Sequence, residues 1–254
     1  MRETRRGERP AAVANTLFSP PATSLEAVSP EAAPSLAAQF AGIYTLADDG
    51  WLGVLALQPE ARDELAGRFY SVRFGRSYEV TARAAAGDPN RIEFSIYRFN
   101  QMARQDYVGY VLGVRRQAFA GSTVWRGRPY GFFARRGNFL HLSRYGTPGD
   151  VVEQKDFVGR YTIWHPVGLG TLEIWLAPGG LAGRYRGADG VAVEAEVGGG
   201  RYAYEAQIAL PLEGSPFEGR GYIFTRMKNA VAGTAQWHGQ TTGFYMAKFR
   251  GAEL

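Results

Sequence analysis

The side chains that most often perform acid–base and metal chemistry are few in this sequence. The three histidines, His141, His165 and His238, have no second ligand at the spacing of a zinc motif, and the chain has no cysteine. We therefore predict no metal and no cofactor, and we interpret the histidines as surface or turn residues. Glu194 and Glu196 would share one strand face, which we interpret as solvated, with a general acid–base pair as the alternative.

Arginine dominates the charge of the chain, because only three of its 29 basic residues are lysines and the formal net charge is +5. Arginines near the end of the first half alternate with aromatic rings. That mixture suits an anionic partner, but it is also typical of a barrel wall with rings inside and arginines outside. We favour the wall and do not expect nucleic acid as a partner. The alternative patch for an anionic partner consists of Arg115, Arg116, Arg126, Arg128, Arg135 and Arg136.

Three segments of the sequence occur twice in similar form. AGSTVWRGRPYGFF begins at Ala120, and AGTAQWHGQTTGFY begins at Ala232, 112 residues later. FAGIYTLADDGWLGVLAL from Phe40 matches FVGRYTIWHPVGLGTLEI from Phe157 at a spacing of 117, and LAGRFY matches LAGRYR at 116. Three blocks in the same order with nearly constant spacing indicate an internal duplication.

Each copy of the repeat has the pattern of a β-barrel. Each contains eight short runs rich in β-branched and aromatic residues, separated by turn residues, and no long amphipathic helix. We predict an all-β protein of two consecutive antiparallel up-and-down eight-stranded β-barrels, since closure removes unpaired strand edges. The predicted order is a leader (1–38), barrel 1 (39–136), a linker (137–156) and barrel 2 (157–250).

An eight-stranded barrel is either filled by side chains or encloses one small ligand. Alternation in VAGTAQWH puts Val231, Gly233, Ala235 and Trp237 on one face, which we expect to point inward. We predict that aromatic residues of both copies line the interior and contact a ligand. These residues are Tyr44, Trp51, Tyr110, Trp125, Tyr161, Trp164, Tyr222 and Trp237.

The order of the motifs resembles the avidin and streptavidin family, whose members are eight-stranded barrels that bind biotin. GRYT from Gly159 fits the opening motif of that family, LAGRY from Leu181 its middle motif, and QWHGQ from Gln236 its closing motif. The resemblance implies a barrel fold for both copies. It does not imply biotin, because Leu46 and Ile163 stand where the family has an asparagine that holds the ligand.

These observations predict a non-catalytic binding protein that holds a small apolar or amphipathic ligand or presents barrel surfaces to a partner. The alternatives are a cofactor-independent barrel enzyme of the cyclase or isomerase type, and a structural component of a larger assembly docked through residues 1–38. Pro, Ala and Ser dominate that segment, which is typical of a disordered tether. The chain has no secretory signal and no apolar run of about 18 residues, so we expect a cytoplasmic protein without a membrane span.

Overall fold

The structure is a computed structural model, and nearly all of the regular secondary structure among its described residues is β-strand. Two short helices precede the two sets of strands, α1 (Leu36–Phe40) and a 3-10 helix (Gln154–Phe157). No helix among the described residues is long and apolar enough to cross a membrane. The structure describes residues 35–48, 51–98, 103–113, 115–137, 152–166, 168–212, 214–225 and 227–249.

The first copy folds into a closed barrel, which we call barrel 1. Each strand pairs antiparallel with the next, and β1 also pairs with β8, so the sheet has no free edge. Its strands are β1 (Gly42–Asp48), β2 (Trp51–Pro59), β3 (Glu64–Ser71), β4 (Arg76–Ala84), β5 (Arg91–Arg98), β6 (Ala103–Leu112), β7 (Ala118–Trp125) and β8 (Arg128–Arg136).

The second copy forms barrel 2 with the same topology, and β16 closes the sheet against β9. The prediction of two consecutive antiparallel eight-stranded barrels is therefore confirmed. The strands are β9 (Gly159–His165), β10 (Gly168–Ala177), β11 (Gly180–Arg186), β12 (Ala192–Gly199), β13 (Glu205–Leu210), β14 (Phe217–Ile223), β15 (Ala230–Trp237) and β16 (Gln240–Lys248).

The two barrels share one cross-strand register. Gly109 lies opposite Gly121 between β6 and β7, and Gly221 lies opposite Gly233 between β14 and β15. In every other pair of neighbouring strands, the residues that lie opposite each other in barrel 1 have equivalents that lie opposite each other in barrel 2. The difference in residue number between equivalent residues falls from 117 in the first strand to 112 in the last three strands. Each inward-facing residue of one barrel therefore has a definite equivalent in the other.

One end of each barrel is closed by the segment that precedes its first strand. The Tyr44 hydroxyl donates a hydrogen bond to the carbonyl oxygen of Phe40 at 3.0 Å. The Tyr161 hydroxyl donates in the same way to Phe157 at 2.9 Å. All four rings are almost fully buried, so each short helix covers the bottom of its barrel.

The last strand completes this cover with a cation. Arg136 donates to the carbonyl oxygen of Ala41 at 2.8 Å and to the Tyr44 hydroxyl at 2.8 Å. Its equivalent in barrel 2, Lys248, donates to the carbonyl oxygen of Asp156 at 2.7 Å. The end opposite this cover, where the odd-numbered strands finish, is called the distal end below.

The predicted segment boundaries fall partly outside the described residues. Residues 1–34 of the predicted leader and residues 138–151 of the predicted linker lie outside the described residues. Residues 36–38 of the leader form the first part of α1, and Ala37 is buried in the barrel 1 core. Packing against the core therefore begins a few residues before the boundary drawn from the sequence.

The two barrels pack through equivalent strands, β6–β8 on one side and β14–β16 on the other. Phe133 and Tyr245, which occupy equivalent positions, stack with their ring centroids 4.0 Å apart and their planes inclined by 16°. Contact between equivalent residues is the mark of a two-fold interface. The duplicated chain therefore forms a pseudo-symmetric dimer within one polypeptide.

Two glycines allow the backbones of the barrels to approach closely. A methyl group added at Gly131 would overlap the carbonyl oxygen of Ala232, and one added at Gly243 would overlap the carbonyl oxygen of Ala120. Gly131 is equivalent to Gly243, and Ala232 is equivalent to Ala120. The repeat of glycine in the two copies thus follows from a single contact that the pseudo-symmetry uses twice.

This close approach predicts that Gly131→Ala and Gly243→Ala destabilise the protein by similar amounts, about 1–3 kcal/mol each, because the methyl group must push two backbones apart. The measurement is the free energy of unfolding in urea. Gly198→Ala is the matched control, since a methyl group at that strand position meets nothing within 4 Å. Equal stability of all three variants would contradict the proposed packing.

Candidate functional site

A cluster of polar side chains lies inside barrel 1 at its distal end. Tyr107 donates a hydrogen bond to Oδ2 of Asp48, and Arg98 Nη2 lies 3.9 Å from the same oxygen. Gln105 Nε2 donates to Thr123 Oγ1 at 3.0 Å and lies 3.5 Å from the Asp48 carboxylate. All five residues are at most 3% exposed, so the cluster is enclosed by protein. We call these five residues the distal cluster.

Strand alternation explains why these side chains meet. Asp48 continues the inward series of Tyr44 and Leu46 on β1, and Arg98 continues that of Phe94 and Ile96 on β5. In both cases the polar residue is the last one of its strand. Because odd-numbered strands of an up-and-down barrel all finish at one end, the sequence places both charges at the distal end.

Burial dominates the electrostatics of the distal cluster. Desolvation lowers the pKa of Arg98, and the neighbouring Tyr107 and Asp48 oppose that effect. Desolvation raises the pKa of Tyr107 well above its usual range, and the negative charge of Asp48 raises it further. Tyr107 therefore remains a neutral phenol that donates a hydrogen bond to Asp48, and Arg98 remains a cation.

An aromatic face lies beside this cluster, and two buried polar atoms belong to the same barrel end, one in Gln105 of the cluster and one in Ser71 at the end of β3. The guanidinium of Arg98 lies 4.7 Å from the ring centroid of Trp125, within the range of a cation–π contact. Gln105 Oε1 and Ser71 Oγ are buried and have no hydrogen-bond partner among the described residues. A buried polar atom without a partner costs about 1–3 kcal/mol, so these two atoms are places where a ligand would gain hydrogen bonds.

Barrel 2 carries mainly apolar residues at the equivalent positions, although its fold is the same. A buried charged pair destabilises a core, and barrel 2 closes without one at the equivalent positions. The distal cluster is therefore not a requirement of the barrel. The equivalent residues are Gly187 for Ser71, Leu212 for Arg98, Phe217 for Gln105, Gly219 for Tyr107 and Ala235 for Thr123.

Asp48 has a polar equivalent in barrel 2, which is His165. Its Nε2 atom lies 2.7 Å from the hydroxyl of Tyr185, and the side chain is only 3% exposed. Burial lowers the pKa of His165 to about 4, so the imidazole is neutral at pH 7. The interpretation of the histidines as surface or turn residues is wrong for His165, which is buried. His238 is exposed, as expected, and His141 lies outside the described residues.

Four of the predicted aromatic residues belong to the barrel interiors. Tyr44 and Tyr161 lie in the two cores, but at the covered end, where they bond to the preceding segments. Trp125 and Trp237 lie at the distal ends, and Trp237 packs against the barrel 2 core as its strand pattern predicted. Only the two tryptophans are therefore positioned beside the distal ends.

Three predicted interior residues face outward, and this prediction is corrected. Tyr110 and Tyr222 lie one residue out of phase with the inward series of their strands and are buried where the barrels meet. Trp164 is 37% exposed and contacts Tyr245 with ring centroids 5.2 Å apart. A shift of one residue moves a side chain to the other face of a strand. Trp51 begins β2, and its side chain lies outside the described part.

The six arginines predicted as one patch are divided between two ends of barrel 1. Arg126 and Arg128 flank the β7–β8 turn at the distal end, whereas the other four lie at or near the covered end. An eight-residue strand separates the groups by roughly 25 Å. Arg116 also donates to the carbonyl oxygen of Pro89, and Arg136 is held by the covering segment. They do not form a single anion-binding surface.

Sequence reasoning missed Arg98, Gln105 and Tyr107, because no motif marks them. A signal was present in the sequence. The first strands of the two copies end at equivalent positions in two different polar residues, Asp48 and His165. Comparison of the two copies residue by residue would have exposed the polar side chains of barrel 1. Among the described residues, no group of three or more acidic or histidine side chains is arranged to hold a metal ion.

The fold and the distal cluster together define a tandem β-barrel protein in which the distal end of barrel 1 buries a charged pair and the distal end of barrel 2 does not. Comparison of the chain with protein-family models, with curated proteins and with solved structures finds no match. The function must therefore be argued from the geometry of the two distal ends.

The buried imidazole predicts a specific dependence of stability on pH. The pKa of His165 is about 4 in the folded protein and about 6.5 in an unfolded chain, so its contribution to stability is present above pH 6.5 and is lost as the pH falls toward 4. Between pH 7 and pH 5 this loss is about 2 kcal/mol. Tyr185, its hydrogen-bond partner, has a raised pKa and stays neutral over this range.

Urea unfolding at pH 7 and pH 5 measures this effect. The difference in unfolding free energy between the two pH values should be about 2 kcal/mol smaller for His165→Gln than for the unaltered protein. His238→Gln, at an exposed position, should retain the full difference. An unchanged difference in His165→Gln would show that the imidazole is not buried as described.

Proposed function

We propose that barrel 1 binds one small amphipathic molecule at its distal end and does not convert it. The observation that carries the proposal is the distal cluster, which the same fold in barrel 2 does without. A buried Arg–Asp pair with a hydrogen-bonded tyrosine lowers stability relative to an apolar core of similar volume. Such a cluster is explained when it recognises a ligand.

The partnerless atoms define the chemistry of that molecule. Gln105 Oε1 is an acceptor and needs an N–H or O–H group, whereas the Ser71 hydroxyl both donates and accepts. Asp48 and Arg98 offset each other, so an ion would leave one buried charge in excess. Trp125 offers an apolar ring face beside them. The ligand class is therefore a neutral molecule with an amide or hydroxyl edge and an apolar body.

The avidin-like interpretation is part of this proposal. It is supported by the eight-stranded barrels and by the position of the site at one barrel end. Biotin is not the proposed ligand, because Leu46 and Ile163 are fully buried apolar residues at the positions where that family holds the ligand with an asparagine.

The second candidate function is a cofactor-independent barrel enzyme. It is favoured by the hydrogen bond from Tyr107 to Asp48, since a phenol and a carboxylate in contact can exchange a proton with a bound molecule. Conversion of the bound molecule when it is incubated with the protein would select this alternative, and recovery of the molecule unchanged would select the carrier.

Native mass spectrometry of the full chain, purified from the cells that naturally produce it, tests the proposal. We expect one retained neutral molecule per chain, which is then released and identified. Gln105→Leu removes the partnerless acceptor and should weaken binding of that molecule by about 5–10-fold, the value of one hydrogen bond.

Gln207→Leu is the matched control, because Gln207 lies exposed on the outer face of β13. It should bind the molecule as the unaltered protein does. A protein that retains no molecule, or two variants that lose the molecule equally, would overturn the assignment of the site to barrel 1.

A further inference from the structure

The distal end of barrel 2 contains two buried polar atoms that the interior of the barrel does not satisfy. His165 Nδ1 and Trp237 Nε1 have no hydrogen-bond partner among the described residues. The Trp237 nitrogen is always a donor, and the imidazole nitrogen donates or accepts according to its tautomer. Native proteins satisfy nearly all such groups, so two at one end of a barrel indicate a place where another molecule supplies the partners.

Strand direction puts both atoms at the same end. His165 is the last residue of β9 and Trp237 is the last residue of β15, and these odd-numbered strands run in the same direction. Both side chains belong to the inward series of their strands, with Ile163 preceding His165 and Ala235 preceding Trp237 in the core. The two polar atoms therefore belong to one barrel end rather than to separate surfaces.

The surroundings of these atoms are aromatic. The rings of Tyr185 and Phe217 lie 5.6 Å and 5.8 Å from the His165 ring, measured between centroids. Phe244 follows at 5.6 Å from Phe217 in an edge-to-face arrangement. Rings at these separations form a wall that favours a flat aromatic molecule.

The charge at this end differs from that of barrel 1. His165 is neutral at pH 7, and Arg98, Gln105 and Thr123 of the distal cluster are replaced by Leu212, Phe217 and Ala235. Among the inward-facing strand residues that the structure describes in barrel 2, the one charged side chain is Lys248 at the covered end. An ionic ligand would lose its hydration without gaining a counter-charge.

We propose that the distal end of barrel 2 is a second binding site, which takes a neutral planar aromatic molecule with a hydrogen-bond acceptor for Trp237 Nε1 and a polar group that faces His165. The two barrels then bind different ligands, a polar-edged molecule in barrel 1 and a more apolar ring system in barrel 2. The inference uses no residue of the distal cluster, so it stands or fails independently of the proposed function of barrel 1.

Fluorescence titration of the full chain with 6-propionyl-2-(dimethylamino)naphthalene tests the second site. This probe is neutral and planar and carries one carbonyl acceptor. We expect saturable binding of one molecule per chain with a blue-shifted emission. Trp237→Phe keeps a ring but removes the N–H donor, and it should weaken binding by about 10-fold.

Three comparisons make the test specific. Trp125→Phe, the equivalent change in barrel 1, and Gln105→Leu should leave the affinity for the probe unchanged. The anionic probe 8-anilinonaphthalene-1-sulfonate should bind more weakly than the neutral one. Absence of saturable binding, equal loss in the two tryptophan variants, or preference for the anionic probe would each overturn the proposal.

A second measurement covers the case in which Trp237→Phe fails to fold. In the unaltered protein labelled with ¹⁵N, the indole N–H resonance of Trp237 should shift when the neutral probe is added, and the indole resonance of Trp125 should not. His165→Gln, measured at pH 7, should independently weaken binding of the neutral probe. Unshifted Trp237 at a saturating probe concentration would show that ordered water, and not a ligand, satisfies this end of the barrel.

Discussion

The hydrogen-bonded closure between the first and last strand of each copy is the constraint on which the rest of the structure depends. Pairing of β1 with β8 and of β9 with β16 removes every free edge and forces alternate residues into an enclosed space. Once the ring is closed, the short segment before the first strand covers one end, held by a tyrosine and a cation from the last strand. Chemistry inside a barrel is thereby confined to the distal end.

Duplication gives one scaffold two distal ends of different chemistry. The two copies keep the same register, the same cover and a pseudo-two-fold interface centred on Phe133 and Tyr245. They differ at the distal ends. Barrel 1 buries Asp48 and Arg98 there, and barrel 2 buries the neutral His165 among aromatic rings. Because packing of the covered half and the interface already stabilises each barrel, the distal ends are free to diverge at a limited cost in stability.

The fold was more predictable than the site, and the reason is visible in particular residues. Matched glycines and aromatic residues repeat in β1–β3 and β6–β8 and in their equivalents in barrel 2, so an error in one strand does not change the predicted barrel. The site depends on single residues. Tyr110 and Tyr222 were predicted to lie inside the barrels because both copies have an aromatic residue at this position. Both copies have one because the pseudo-symmetric interface between the barrels buries both rings. Arg98 and Gln105 belong to the distal cluster and were missed because their equivalents in barrel 2 are different residues.

The sequence by itself determined the duplication, the number of strands and the barrel architecture, since these follow from periodicity and turn chemistry that are local along the chain. Only the tertiary structure decided which side chains share an interior. The distal cluster is built from four strands, by residues 48, 98, 105, 107 and 123. In any of these strands, a register shift of one residue would turn an inward side chain outward. Their meeting depends on the register around the whole closed ring, which no single segment of the sequence specifies.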